Sequence, residues 1–165
     1  MNGNRYVLDA SVFIEAARRY YGFDLAPRFW EGLEEQAGAG HVMSIDRVQD
    51  ELGRGNDELA SWANGRFGSA FMATDDSQVV DRYRELMEWV KSQHQFSDAA
   101  KSDFASKADG WLVAYARANG CVVVTQEVIN PDVKRKVPIP NLCDAFNVPW
   151  IDTFAMMRNL GIRFT

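Results

Sequence analysis

The sequence contains very little histidine and cysteine. Only two histidines, His41 and His94, occur among 165 residues, which argues against histidine-rich metal sites and against most nucleophiles that depend on a histidine base. The two cysteines, Cys121 and Cys143, lack the paired spacing of a zinc site. Any bound metal ion is therefore expected to have oxygen ligands, and both cysteines are expected to be reduced core residues.

Long apolar runs are also missing. No stretch approaches the roughly 20 apolar residues that cross a bilayer, and residues 1–5 have no apolar signal-peptide core. We therefore expect no membrane segment and a cytoplasmic location. The sequence also lacks a P-loop and a Gly-x-Ser-x-Gly elbow, which argues against P-loop nucleotide hydrolysis and against esterases of the nucleophile-elbow type.

An excess of positive charge is absent as well. The chain has 18 basic and 23 acidic residues and a formal net charge of −5, which does not suggest nucleic-acid binding by bulk electrostatics. Bound divalent cations would neutralise much of this charge. The densest basic cluster, residues 134–136, lies in a predicted loop. It suits contact with an RNA backbone and a solvated loop equally well.

The rest of the composition is that of a globular protein. Apolar residues make up 47% and charged residues 25% of the chain, which argues against disorder. A chain of 165 residues fits one domain with a substantial core, so we expect a single domain over residues 1–165. Strand-like and helical segments alternate, and this predicts an α/β fold with a parallel sheet.

The strand predictions rest on apolar and β-branched runs. Residues 6–8 and 121–125 are typical of buried parallel strands, and 148–151 is predicted as an edge strand because it contains a proline. Residues 41–43 favour a short extended stretch. Residues 70–73 suit a strand and an extended connector equally.

The helix predictions rest on apolar periodicity and capping residues. The third predicted helix is capped by Ser44 or Asp46 and carries Ile45 and Glu51. A break at 53–56 precedes a short helix capped by Asp57. The remaining predicted helices cover residues 11–21, 28–37, 76–93, a short helix within 96–104, 107–117, 141–146 and 152–160.

Four acidic residues are predicted to meet at one edge of the sheet. Asp9 and Glu127 directly follow the two buried strands, and the carboxyl ends of parallel strands are where open α/β sheets bind ligands. Glu51 lies on the third helix, and Asp109 begins the buried helix that leads into the second strand. Clustered carboxylates repel each other unless cations join them, and their oxygens suit Mg²⁺ or Mn²⁺. Two such ions about 4 Å apart would support phosphodiester cleavage.

Each acid also has a structural interpretation. Asp109 equally suits a role in complementing the helix dipole. Asp50 competes with Glu51 for the same place, and Glu127 could simply cap the loop after its strand. The apolar flanks of Asp9 make a purely structural explanation hardest for that residue. The five tryptophans are expected to pack in the core, although an exposed one could stack on a base.

Four segments together resemble the sequence motifs of PIN domains. They are LDASVFI (residues 8–14), DEL (50–52), ADGWLVAYA (108–116) and VVTQE (123–127). Their order, their spacing and the elements that carry them agree with PIN domains over nearly the whole chain. The sequence looks similar to a bacterial or archaeal subgroup of PIN-like proteins, mostly without an assigned function, within the group that contains the VapC-type toxin ribonucleases.

The resemblance implies a three-layer α/β/α fold with a central parallel sheet and an Mg²⁺- or Mn²⁺-dependent endoribonuclease. It further implies an RNA substrate and use as the toxin of a toxin–antitoxin pair, hence an antitoxin partner. PIN-like proteins are often homodimers, but the sequence itself indicates no interface. The family roles that carry over are those of metal ligands and of two supporting hydroxyls: Asp9, Glu51, Asp109 and Glu127 as ligands, and Ser11 and Thr125 as the hydroxyls.

Two departures from the family pattern leave alternatives open. Glu127 stands where the fourth motif normally offers Asp; its longer side chain could reach the same ion or leave a second metal site weak. A weak site would favour a catalytically silent PIN-like module that binds RNA or protein. The insert over residues 53–93 is also longer than in compact members.

A phosphotransfer enzyme with Asp9 as nucleophile would need a second acid where this chain has Ser11.

Overall fold

The computed structural model describes residues 3–164. Within that range a five-stranded parallel sheet forms the centre, in the order β3-β2-β1-β4-β5. The strands are β1 (Tyr6–Leu8), β2 (Val42–Ile45), β3 (Phe71–Met72), β4 (Val122–Val124) and β5 (Trp150–Ile151). The predicted parallel sheet and the predicted edge strand are confirmed, and the segment that was left open at 70–73 contains a short edge strand.

Helices flank this sheet and give the predicted three-layer α/β/α architecture. The first helix begins one residue earlier than predicted and continues as a π-helix over Ala16–Tyr20. The helices of the described chain are α1 (Ala10–Glu15), α2 (Pro27–Gly38), α3 (Asp46–Gly53), α4 (Glu58–Asn64), α5 (Ser77–Ser92), α6 (Asp98–Ala105), α7 (Asp109–Asn119), α8 (Ile139–Ala145) and α9 (Thr153–Leu160).

The register of β1 and β4 determines where the candidate site forms. Leu8 pairs with Val124, and the pairing continues beyond β1 because Asp9 N–H donates to the Val124 carbonyl at 2.9 Å. Thr125 N–H likewise donates to the Ile151 carbonyl at 3.1 Å. Asp9 and Thr125 therefore leave the sheet side by side at its carboxyl edge.

The start of the third helix was predicted incorrectly. Ser44 and Ile45 belong to β2, where they pair with β3, and the Ser44 hydroxyl donates to the Leu8 carbonyl at 2.6 Å. Neither Ser44 nor Asp46 is the N-cap, because Ile45 occupies that position. The Asp46 carboxylate instead accepts hydrogen bonds from Thr74 N–H and Oγ1. Pairing in the sheet outweighs the local capping preference here.

The long insert packs through aromatic side chains. Trp62 on α4 stacks on Phe67 with ring centroids 4.6 Å apart, and Phe13 of α1 contacts both rings. Asp57 caps α4 as predicted, since its carboxylate accepts from Ala60 N–H. The insert is thus an extension of the core that covers α1.

The cysteines and tryptophans are packed largely as predicted. Both cysteines are free and buried. Trp111 is covered on one face by Tyr83, with ring centroids 3.8 Å apart, and on the other by the Arg47 guanidinium at 4.0 Å, which leaves no free face for a base. The tryptophans are buried or half-buried: Trp30, Trp62, Trp89, Trp111 and Trp150.

Candidate active site

The four predicted acids line one cleft of about 490 Å³ at the carboxyl edge of the sheet. Asp9 follows β1, Glu51 lies on α3, Asp109 begins α7 and Glu127 follows β4. Asp50 lies outside this cleft and lines a smaller neighbouring hollow. Of the two acids that the sequence left as candidates, the fold thus places Glu51 in the cleft.

Asp9 is held by two hydroxyl groups. It occupies the N-cap position of α1 without capping that helix; instead its Oδ2 accepts from Ser11 Oγ at 2.6 Å and from Thr125 Oγ1 at 2.9 Å. Each hydroxyl in turn accepts a backbone N–H, from Gln126 and Glu127 respectively. Within residues 3–164, Oδ1 accepts no such bond. The carboxylate is only 3% exposed, so its orientation is fixed by the end of β4.

Glu51 links two of the elements that carry site residues. Its Oε1 accepts a hydrogen bond from Ala108 N–H at 3.2 Å, and Ala108 is the N-cap residue of α7. This bond holds α3 against the start of α7, where Asp109 is the first residue. Glu51 and Asp109 are therefore brought to the same wall of the cleft although 57 residues separate Glu51 from Ala108.

Glu127, which follows β4, is held by a backbone N–H group and by a lysine. Its Oε1 accepts from Ile139 N–H at 3.1 Å and lies 3.3 Å from Lys136 Nζ. The side chain is 15% exposed. Glu127 therefore fastens the end of the loop over residues 128–138 to its beginning. This contact agrees with the structural interpretation of Glu127, and its position in the cleft is also compatible with the predicted metal role.

The cleft opposes ionisation of two of its carboxyl groups. The pKa of Asp9 is raised to about 6, mainly by burial; the charges of Glu127 and Glu51 contribute to the rise, and the Ser11 and Thr125 hydrogen bonds partly offset it. Burial, followed by repulsion from Asp9, Glu127 and Glu51, raises the pKa of Asp109 to about 8, and the nearby charge of Lys107 partly offsets the rise. A cation in the cleft would relieve this repulsion.

The pKa of Asp109 also bears on its structural alternative. A carboxylate that merely complements a helix dipole is stabilised in its charged form, whereas the pKa of Asp109 is raised. The causes of this rise are burial and the charges of Asp9, Glu127 and Glu51. The metal role of Asp109 stays a prediction beside its structural alternative.

Three basic side chains also line the cleft. They are Arg54, Lys107 and Lys136. Lys107 forms an ion pair with Asp103 at 3.0 Å, which together with the nearby charges of Asp109 and Glu51 raises the pKa of its ammonium. Sequence reasoning noted Lys136 as part of a basic cluster but missed the other two. Arg54 follows Glu51 by three residues and Lys107 precedes Asp109 by two, so proximity to the acidic motifs was the available signal.

The four acids have the oxygen ligands that a hard divalent cation prefers, but their carboxylates do not converge on one position. Carboxylate oxygens suit Mg²⁺ and Mn²⁺. However, the described residues contain no group of three or more His, Cys, Asp or Glu side chains arranged to hold a metal ion. The reason is visible in their partners: Glu51 is bound to Ala108 and Glu127 to Ile139 and Lys136. The donor set fits such an ion, and the side chains would have to approach each other to bind it.

No helix in residues 3–164 is both long enough and apolar enough to cross a membrane.

Comparisons with solved structures agree with the observed architecture. VapBC2 from Rickettsia felis, bound to a promoter DNA fragment, is 15% identical with a TM-score of 0.54, over 89% of this chain and 97% of that one. FitAcB from Neisseria gonorrhoeae is 17% identical with a TM-score of 0.54, over 88% and 96%. FitAB bound to an IR36 DNA fragment is 16% identical with the same TM-score, over 89% and 94%. At these identities the likeness shows the fold alone, which is PIN-like.

No curated protein sequence matches the chain. The family described as a domain of unknown function, DUF4411, matches residues 6–164, which is nearly the whole of the part that the structure describes. The chain therefore belongs to the DUF4411 family, and its fold is a PIN-like α/β/α fold.

Proposed function

We propose that this protein is a metal-dependent endoribonuclease that hydrolyses phosphodiester bonds in RNA. The observation that carries the proposal is the cleft in which β1, α3, α7 and β4 place four carboxyl groups together, with the pKa values of Asp9 and Asp109 raised by burial and by neighbouring acids. Buried acidic groups whose pKa values are raised by burial and by one another are typical of a functional site.

In this proposal Asp9, Glu51, Asp109 and Glu127 hold Mg²⁺ or Mn²⁺. A bound divalent ion supplies Lewis acidity and makes water a stronger nucleophile at neutral pH. Ser11 and Thr125 fix the orientation of the Asp9 carboxylate through its Oδ2.

The basic rim and the position of Ser11 complete the proposed chemistry. Arg54 and Lys107 place positive charge where the phosphates of a bound RNA would approach. No protein nucleophile is needed. Phosphotransfer through Asp9 is disfavoured because Ser11 stands in the place of the required second acid, and its hydroxyl donates a hydrogen bond to Asp9.

The biological context extends the proposal. The resemblance to PIN domains supports a toxin that acts with an antitoxin partner and forms a homodimer, and one matched structure is VapBC2 bound to DNA from its promoter. We place the protein in the cytoplasm, as one domain over residues 1–165. The match of the family to residues 6–164 supports that extent.

A second candidate is a catalytically silent PIN-like module that binds RNA or protein. The observations that favour it are the lack of a ready-made ligand group among the described side chains and the pairing of Glu127 with Lys136. Metal binding separates the two functions, because the silent module needs no divalent ion.

The test is cleavage of a panel of structured and single-stranded RNAs by the purified chain with Mn²⁺, with Mg²⁺ and with chelator. We expect metal-dependent cleavage that Asp9→Asn reduces at least about a hundredfold. Asp81→Asn on exposed α5 is the matched control and should retain activity. Equal activity of the parent and Asp9→Asn would contradict the metal role. No cleavage, together with no divalent-ion binding by calorimetry, would favour the silent module.

A further inference from the structure

One ion pair joins two residues that both line the cleft. Lys136 Nζ is 3.3 Å from Glu127 Oε1, and Lys136 and Glu127 both line the cavity that also contains Asp9, Glu51 and Asp109. The Glu127 carboxylate is mostly buried, with 15% exposure, whereas the Lys136 side chain is 50% exposed. The ammonium thus neutralises one of the four acids while about half of the lysine side chain remains in solvent.

The other cations near the cleft are arranged differently. Lys107 is paired outside the acidic group, with Asp103 at 3.0 Å. Lys134 and Arg135, in the same loop as Lys136, are exposed and do not line the cleft. Within the basic cluster at residues 134–136, the contact with the candidate metal ligand Glu127 is therefore made by Lys136 alone.

The loop that carries Lys136 is anchored through its backbone. Gln95 Nε2 donates to the carbonyls of Pro131 and Val133 at 2.6 and 2.8 Å, and Ser97 N–H donates to the Lys134 carbonyl at 2.9 Å. Because these bonds hold the loop backbone at residues 131, 133 and 134, rotation of the long lysine side chain alone would separate Lys136 from Glu127.

We propose that Lys136 is an intramolecular counter-ion of Glu127 that competes with the divalent ion and, once released, binds a phosphate group of the RNA. This inference rests on the proposed function. Partly exposed ion pairs are weak, so Lys136 gives way to a doubly charged ion. A released ammonium on a flexible stem at the mouth of the cleft then matches the phosphate backbone.

The proposal predicts that one substitution changes metal affinity and RNA affinity in opposite directions. Lys136→Gln removes the charge while keeping much of the side-chain length, so Mn²⁺ affinity should rise about fivefold, as expected for loss of one nearby positive charge. The affinity of the same variant for RNA, measured with Ca²⁺ in place of Mn²⁺, should fall by a similar factor. A lysine with only a structural role would not move the two affinities in opposite directions.

The experiment is calorimetric titration of MnCl₂ into the full chain, followed by fluorescence anisotropy with a labelled single-stranded RNA. Lys134→Gln is the matched control, with the same change in the same loop, and Lys136→Arg should behave like the parent because it keeps the charge. Tighter Mn²⁺ binding and weaker RNA binding by Lys136→Gln alone are expected.

The outcomes that overturn the inference differ from those that overturn the function. Equal Mn²⁺ affinity of the parent and Lys136→Gln would show that Lys136 does not compete, while the metal centre would stand. Unchanged RNA affinity would remove its phosphate role. Absence of Mn²⁺ binding by the parent and by Lys136→Gln would contradict the proposed function itself, and the competition with it.

Discussion

At the scale of single residues, Asp109 is the side chain whose charge the fold opposes most clearly. Its pKa rises from an ordinary 3.8 to about 8 on folding, so the folded chain holds that proton more tightly than the unfolded chain. The associated stability is complete below about pH 4 and is lost as the pH rises through about 8. Without metal, the free energy of unfolding should therefore fall over this range, by at most about 1.4 kcal/mol per pH unit for one proton.

Asp109→Asn should flatten this pH dependence, because an amide does not ionise. The measurement is urea denaturation in chelator at pH 5, 7 and 9, and the variant should be more stable than the parent at pH 9. Asp81→Asn, an exposed acid on α5, should keep the slope of the parent. A parent whose stability is independent of pH would show that Asp109 ionises normally.

Replacement by valine is expected to have opposite effects on stability at two buried threonines, Thr125 and Thr153. The Thr125 hydroxyl donates to Asp9 Oδ2 and accepts from Glu127 N–H, so Thr125→Val leaves two partners unsatisfied and should destabilise the chain by about 1–3 kcal/mol. The Thr153 hydroxyl is buried with no hydrogen-bond partner within residues 3–164. Thr153→Val should be neutral or stabilise by up to about 1 kcal/mol.

Thermal denaturation of the two valine variants checks this pair. Thr125→Val should also reduce RNA cleavage, since the Asp9 carboxylate loses one of its two fixed donors. Similar losses of stability in both variants would mean that the Thr125 hydroxyl contributes nothing beyond its volume.

Residue identity at the site was only partly predictable. Asp9 and Glu127 follow apolar strands, so their place at the sheet edge follows from the pattern alone. The choice of Glu51 over Asp50 depends on the rotation of α3 against α7, which the Glu51 to Ala108 hydrogen bond fixes. Arg54 and Lys107 reach the cleft only because distant elements meet there, and no local pattern contains that information.

At the scale of elements, the contact between α5, α6 and α7 depends on one glycine. A Cβ at Gly110 would lie 3.0 Å from ring atoms of Phe104 and 3.1 Å from Tyr83. Gly110→Ala should therefore destabilise the chain by about 1–2 kcal/mol, although alanine has a helix propensity better by about 1 kcal/mol. Because Asp109 is adjacent, the same shift should lower cleavage.

Gly38→Ala is the control for propensity without a clash. Gly38 is the last residue of α2, and an added Cβ would meet nothing within 4 Å, so the variant should gain up to about 0.5 kcal/mol. Chemical denaturation of the two variants measures both effects. A Gly110→Ala variant more stable than the parent would show that α5 and α6 shift at little cost to accommodate the added methyl group.

The elements were predictable where local and tertiary preferences agree. The β-branched run in β4 and the capping residue Asp57 were predicted correctly. The start of α3 was not, because Ile45 and Ser44 satisfy a helix pattern locally and yet pair with β3. The two-residue strand β3 was undecidable for the same reason, since a segment that short is defined by its partner.

At the scale of the whole molecule, a divalent ion that binds the folded cleft should stabilise the chain. Mn²⁺ at 100 times its dissociation constant should add about 2.7 kcal/mol, which for a chain of this size raises the melting temperature by about 5–10 °C. Differential scanning calorimetry with Mn²⁺ and with chelator measures the shift. Asp9→Asn should lose most of it, and an equal shift in both proteins would indicate binding elsewhere.

The central position of β1 has a consequence for protein synthesis. The first strand is completed only when β4 pairs with it, and Asp9 receives its second hydroxyl from Thr125, 116 residues later in the chain. Contacts of such long range form late. A ribosome-bound chain therefore has no complete cleft until Glu127 and the loop after it have emerged, so the proposed ribonuclease activity would be absent from an unfinished molecule.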